Sequence, residues 1–104
     1  MLEVNEPFKV NAALQLVPLG VADSYQIVDL AIDEIQKTGF PYEVGPFSTS
    51  VEASLEEILN LVLKIKNRVF QDEAKEILIN IQIHARKDEN VGQLEKVGKY
   101  KTPV

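Results

Sequence analysis

The 104-residue sequence has no cysteine. That excludes disulfides, thiolate metal sites and a cysteine nucleophile. Positive charge is scarce: 11 Lys and Arg stand against 16 Asp and Glu, a net charge of −5. Nucleic-acid binding draws on a positive surface, so no nucleic-acid partner is expected. No apolar run approaches the roughly 18 residues that suggest a membrane span. The first residues, Met1 to Pro7, are acidic and lack the basic start and apolar centre of a signal peptide. No membrane partner is expected, and the location expected is the cytoplasm. What remains is an ordinary globular balance, 45% apolar and 26% charged, which excludes disordered, collagenous and coiled-coil classes. The length suits a single domain, 1–104, with its core over about 8–86 and a charged tail over 87–104.

The pattern along the chain gives the elements. From Phe8 to Val17 the sequence alternates, with Phe8, Val10, Ala12, Leu14 and Leu16 on one side. Lys9, Asn11, Ala13, Gln15 and Val17 lie on the other, so this is a strand with unlike faces. Pro18-Leu19-Gly20 ends it. Asp23 or Ser24 offers a helix N-cap, and Val28, Ala31, Ile32 and Ile35 recur at helical spacing, with Tyr25 and Ile27 widening the stripe. Gly39 and Pro41 close a helix over about Ser24 to Thr38.

Tyr42 to Val44 and Thr49 to Glu52 read as a hairpin around Gly45-Pro46-Phe47-Ser48, with Pro46 and Phe47 able to extend its first strand. Ser54 and Glu57 have capping-box spacing at the head of a second helix over about Ser54 to Phe70. Ile77, Ile79, Ile81 and Ile83 then alternate with Leu78, Asn80, Gln82 and His84, a further strand. Val91 to Val97 suggest a short C-terminal helix stopped by Gly98.

Strand, helix, strand, strand, helix, strand implies an α+β, ferredoxin-like βαββαβ sandwich with antiparallel sheet order 4-1-3-2. Both helices then cover one sheet face. The rows Phe8/Val10/Leu14/Leu16 and Ile77/Ile79/Ile81/Ile83 are expected beneath them. The other face carries Asn11, Ala13, Gln15 and Val17 beside Leu78, Asn80, Gln82 and His84. Uncharged amides mixed with Val and Leu suit a sheet-against-sheet subunit interface, although a plain solvated face fits too.

Candidate chemistry is sparse. His84, the one histidine, lacks partners at metal-ligand spacing, so no metal and no cofactor are expected; it reads as a surface or interface residue. Asp29, Asp33 and Glu34 read as a solvated helix face, not an acid/base pair. Asp88 and Glu89 fall in the charged tail. Ser48-Thr49-Ser50 lacks a nucleophile-elbow pattern and a nearby His, and no glycine-rich phosphate loop is present. The loop Pro18 to Asp23 has no cation for a phosphate, which excludes acylphosphatase chemistry. No catalytic residue is therefore assigned and no enzyme is expected. Glu52, at a strand end, is either a surface charge or an acceptor for an amino-bearing ligand, with Tyr42 and Phe47 as a neighbouring aromatic face.

Several segments together resemble the small, formerly uncharacterised thiamine-binding protein family. They are Leu14-Gln15-Leu16-Val17-Pro18-Leu19-Gly20, Gly39 before Tyr42, Gly45-Pro46-Phe47-Ser48-Thr49-Ser50-Val51-Glu52, and Ile81-Gln82-Ile83 with Arg86. The family is related to the tandem-repeat proteins that bind thiamine and its hydroxymethylpyrimidine part. The resemblance spans about Val10 to Lys96. It implies a ferredoxin-like fold, dimers paired into a homotetramer, and a non-catalytic site for thiamine or a related pyrimidine near a subunit contact.

Carried over by position, Gln15, Pro18, Leu19 and Gly20 form one wall of that site, and Phe47, Thr49, Val51 and Glu52 form the other. An aminopyrimidine has donors and acceptors that suit Glu52, Thr49 and Gln15 beside apolar walls. Phe47 stands where the family commonly has Met. Ser48 and Ala53 replace usual glycines, and His84-Ala85 stands where acidic residues are common. The alternative reading is an oligomeric structural or regulatory module without a small ligand.

Overall fold

Alternation in the first segment produces strand β1 (Val10–Pro18), and helix α1 (Ser24–Thr38), β2 (Tyr42–Val44), β3 (Thr49–Ala53), α2 (Leu55–Gln71) and β4 (Ile77–His84) follow in chain order. The structure, a computed structural model, describes residues 8–92. The sheet order is β2-β3-β1-β4 with every pairing antiparallel. Read from the other edge this is 4-1-3-2, the ferredoxin-like βαββαβ topology.

Local chemistry fixes the helix ends. Asp23, rather than Ser24, caps α1: its carboxylate accepts from the Gln26 N–H. Gly39 closes the helix at φ 76°, in the left-handed region where a side chain is disfavoured. At α2 the capping box forms in full. Ser54 Oγ accepts from the Glu57 N–H at 3.2 Å, and Glu57 Oε1 accepts from the Ser54 N–H at 2.9 Å. The Ser54 N–H is the main reason the Glu57 carboxyl sits below its ordinary range.

One sheet face carries the core. Val10, Ala12 and Leu14 of β1 and Val51 and Ala53 of β3 pack against Ile27, Ala31 and Ile35 of α1 and Ile58, Leu61, Ile65 and Val69 of α2. Each large side chain in that layer contributes about 1.5–3 kcal/mol before entropy is subtracted. Two members of the expected buried rows depart from it. Phe8 precedes β1 and is 37% exposed; Ile81 is 39% exposed. β4 is an edge strand with β1 as its one neighbour, so its inward row gains cover from one flank only.

Three further differences bear on function. β2 ends at Val44, and Pro46 and Phe47 stand in the turn, where the Gly45 N–H donates to Ser48 O at 2.9 Å. A Cβ at Gly45 would lie 3.0 Å from that oxygen, so any side chain there crowds the tight turn. Asp33 and Glu34 are not a merely solvated face. Arg68 of α2 pairs with both, and Lys37 adds a 3.2 Å contact to Asp33, tying the two helices together. The Arg68 hydrogen bond, then Lys37, holds the Asp33 carboxyl below its ordinary value.

At the C-terminal side, Val91 and Gly92 are not helical, and the rest of the expected short helix lies outside the described residues. The Val91 N–H donates to Lys9 O, Asn90 Oδ1 accepts from the Lys9 N–H, and the Val91 side chain is fully buried. Packing therefore continues into the charged tail.

Candidate ligand cleft

Proline has no N–H for the ladder, so β1 stops at Pro18 and the chain turns through Gly20 at φ 70°. α1 begins at Ser24, and the β2–β3 turn bends at Gly45. These three breaks fall at one end of the sheet, where the helix layer and the strands part. The space between them is a cleft of about 390 Å³. Its floor includes Leu14, Leu16 and Ile79; its roof includes Val28, Ile32 and Val62. Tyr25, from the first turn of α1, and Phe47, from the hairpin turn, also border it. They are 82% and 81% exposed, so two aromatic rings stand at the mouth with little else covering them. Ser24, Ser48 and the buried Thr49 supply hydroxyls.

The positions carried over from the sequence divide between this cleft and other places. Gln15, Pro18, Phe47 and Thr49 line it. The Gln15 side-chain oxygen, however, accepts from Asn80 Nδ2 at 3.0 Å on the outer face of the sheet, so its amide is engaged away from the cleft. Leu19 is half-buried and its N–H donates to Glu76 O; Gly20 is exposed beyond it. Val51 is fully buried in the core. Glu52 lies opposite Asn11 on the outer face, while Thr49 lies opposite Leu14 on the helix-covered face. Strand alternation alone separates them, because neighbours of opposite parity point to opposite sides. Tyr25, Val28 and Ile32 were legible only as a helical stripe. Their spacing fits a packed face and a cleft wall equally, and the one distinguishing sign was an aromatic residue in the first turn.

The outer face has a second, polar hollow of about 290 Å³, lined by Asn11, Ala13, Gln82, Ile83 and His84. Asn11 is opposite both Glu52 and His84, so three polar side chains form one rung across β3, β1 and β4. Ala13 leaves room beside that rung. Among the described residues, no group of three His, Asp or Glu side chains is arranged to hold a metal ion. No helix among them is long and apolar enough to cross a membrane.

A profile of the family described as thiamine-binding protein matches residues 12–101. The chain belongs to this family. A UPF0045 protein of Clostridium perfringens is 36% identical over 93 residues, covering 88% of this chain and 96% of the relative. Among solved structures, a candidate thiamine biosynthesis or salvage protein from Thermotoga maritima superposes with a TM-score of 0.81 at 34% identity, covering 89% of this chain and 99% of that one. A domain of unknown function from Bacillus cereus gives 0.83 at 34% identity, over 90% and 91% of the two chains. Membership in the thiamine-binding protein family gives the chain a non-catalytic role, that of binding a small molecule of the thiamine class.

Proposed function

We propose that this member of the thiamine-binding protein family holds thiamine or its hydroxymethylpyrimidine part in the cleft between α1 and the β2–β3 hairpin, without turning it over. The observation that carries the reading is the cleft itself. It has apolar walls sized for a heterocycle, two exposed rings at its mouth and hydroxyls at Ser24, Ser48 and Thr49. A flat ring gains from aromatic faces and apolar burial, and a few placed hydroxyls orient it. Phe47, Thr49 and Pro18 supply direct contacts, and Gln15 buttresses the wall from behind. Leu19 and Gly20 set the course of the adjoining loop, and Val51 supports the floor from the core.

The protein acts as a homotetramer, a dimer of dimers, in the cytoplasm. Its contact surface is the outer sheet face, where Leu78 is 53% exposed beside the Gln15–Asn80 hydrogen bond. Glu52 and His84 belong to that face, with Asn11 buried between them, and Glu52 takes no part in the cleft of its own protomer. Calorimetric titration of the full chain with thiamine and hydroxymethylpyrimidine tests the reading. Saturable heat is expected, with a thermal stabilisation of about 2.7 kcal/mol at a hundredfold excess over Kd. Phe47→Ala should weaken binding about tenfold. No heat and no thermal shift at millimolar ligand would remove the proposal. The second reading, an assembly module without a small ligand, is favoured by the amide-rich outer face. It would then show a sizing profile above 11.7 kDa with no ligand response.

A further inference from the structure

The described lining of the cleft is uncharged although the protein is acidic overall. Among the described residues that line it there is no Asp, Glu, Lys, Arg or His, and the Tyr25 phenol is the one ionisable group. A phosphoryl group entering it would lose water without gaining a cation, and moving an unpaired charge out of water is strongly unfavourable. The start of α1, with Ser24 and Tyr25 in the wall, is a place where backbone N–H groups could hold an anion. One of those N–H groups is already engaged. Asp23 stands immediately before those two residues, and its carboxylate accepts from the Gln26 N–H at 3.2 Å. An incoming phosphate would meet that negative charge beside whatever donors the first turn offers.

We infer that the cleft selects unphosphorylated ring ligands, with Asp23 at its mouth as the group that turns phosphate esters away. The inference rests on the binding role proposed above and narrows its ligand. The neutral aminopyrimidine alcohol fits within the cleft. The thiazolium of thiamine stays at the mouth, where the faces of Tyr25 and Phe47 can meet a cation. In a reaction sequence, the bound species is the alcohol that precedes a phosphoryl-transfer step, and the ester product of that step is not retained.

Calorimetry on the full chain with hydroxymethylpyrimidine and with its monophosphate ester tests this. The ester is expected to bind at least tenfold more weakly. In Asp23→Asn, which keeps an N-capping oxygen, the ratio of the two dissociation constants should shrink several-fold. The same ratio should also shrink in the wild type as salt is raised, because repulsion across the solvent-exposed mouth is screened. An ester that binds as tightly as the alcohol in the wild type overturns the inference and leaves the binding role standing. An unchanged ratio in Asp23→Asn overturns the part given to Asp23. Failure of both compounds to bind overturns the binding role, and the selectivity with it.

Discussion

The two faces of the one sheet do opposite things with the same strands. Beneath the helices, Ala12, Leu14 and Val51 are buried, and at one end that apolar layer opens into an uncharged cleft. On the outer face the intervening residues present Asn11, Gln15, Asn80, Gln82, His84 and Glu52 with a few apolar neighbours. A residue's parity along β1 or β3 therefore decides whether it faces the helix-covered layer with its cleft or the outer side of the sheet. Polarity follows the same division: the inner face relies on area removed from water, the outer carries groups that hydrogen-bond, as Asn80 does to Gln15.

The sharpest way to break this contrast is to truncate one apolar residue in each setting. Ile58→Ala, at a fully buried position, should cost about 2–5 kcal/mol in urea melts. Leu78→Ala, 53% exposed in the protomer, should change protomer stability by less than about 1 kcal/mol. Equal losses would show that the outer face is as much a core as the inner one. The next largest effect is on assembly. Asn80→Lys removes the amide that donates to Gln15 and places a charge in the proposed contact. Sizing chromatography should show smaller species, with ligand binding retained at the inner cleft; an unaltered profile would place the contact elsewhere.

The smallest effect tests the charged seam between the helices, the counterpart of the uncharged cleft. Asp33 has a folded-state pKa below its ordinary value of 3.8, through Arg68 and Lys37. Its contribution is thus present above that value and is lost as pH falls through the lower folded one. Asp33→Asn should lower stability slightly at pH 7 and flatten the decline below pH ~4. Urea midpoints at pH 7 and pH 3 that move in parallel for both proteins would rule the linkage out.

Much of the fold was legible because several local signals agreed. The span of α1, Ser24–Thr38, follows from Asp23 ahead of it and Gly39 and Pro41 after it. The full capping box at Ser54 fixes the head of α2. The topology then follows from element order. Depth was less legible. The Ile77-to-Ile83 row has the period of a buried strand, but period reports a face and not how far the helices reach over it, so Ile81 was misread as covered. Asp33 and Glu34 looked solvated because their partner, Arg68, lies 35 residues away from Asp33 in sequence. The cleft was half legible. Pro18, Phe47 and Thr49 came from the resemblance, whereas Tyr25 and Ile32 needed the helix to be seated above the sheet. The resemblance sets Glu52 in one wall with Thr49, whereas strand alternation puts the two on opposite sheet faces of a protomer.

One feature of the hairpin reaches further. β1 is flanked by strands along both sides, whereas β2 contributes three residues and touches β3 alone. The ring of Phe47 is thus carried on the least anchored corner of the sheet. Amide protons at that corner are expected to exchange well before those of β1, so a ligand entering the proposed cleft would require no loosening of the core.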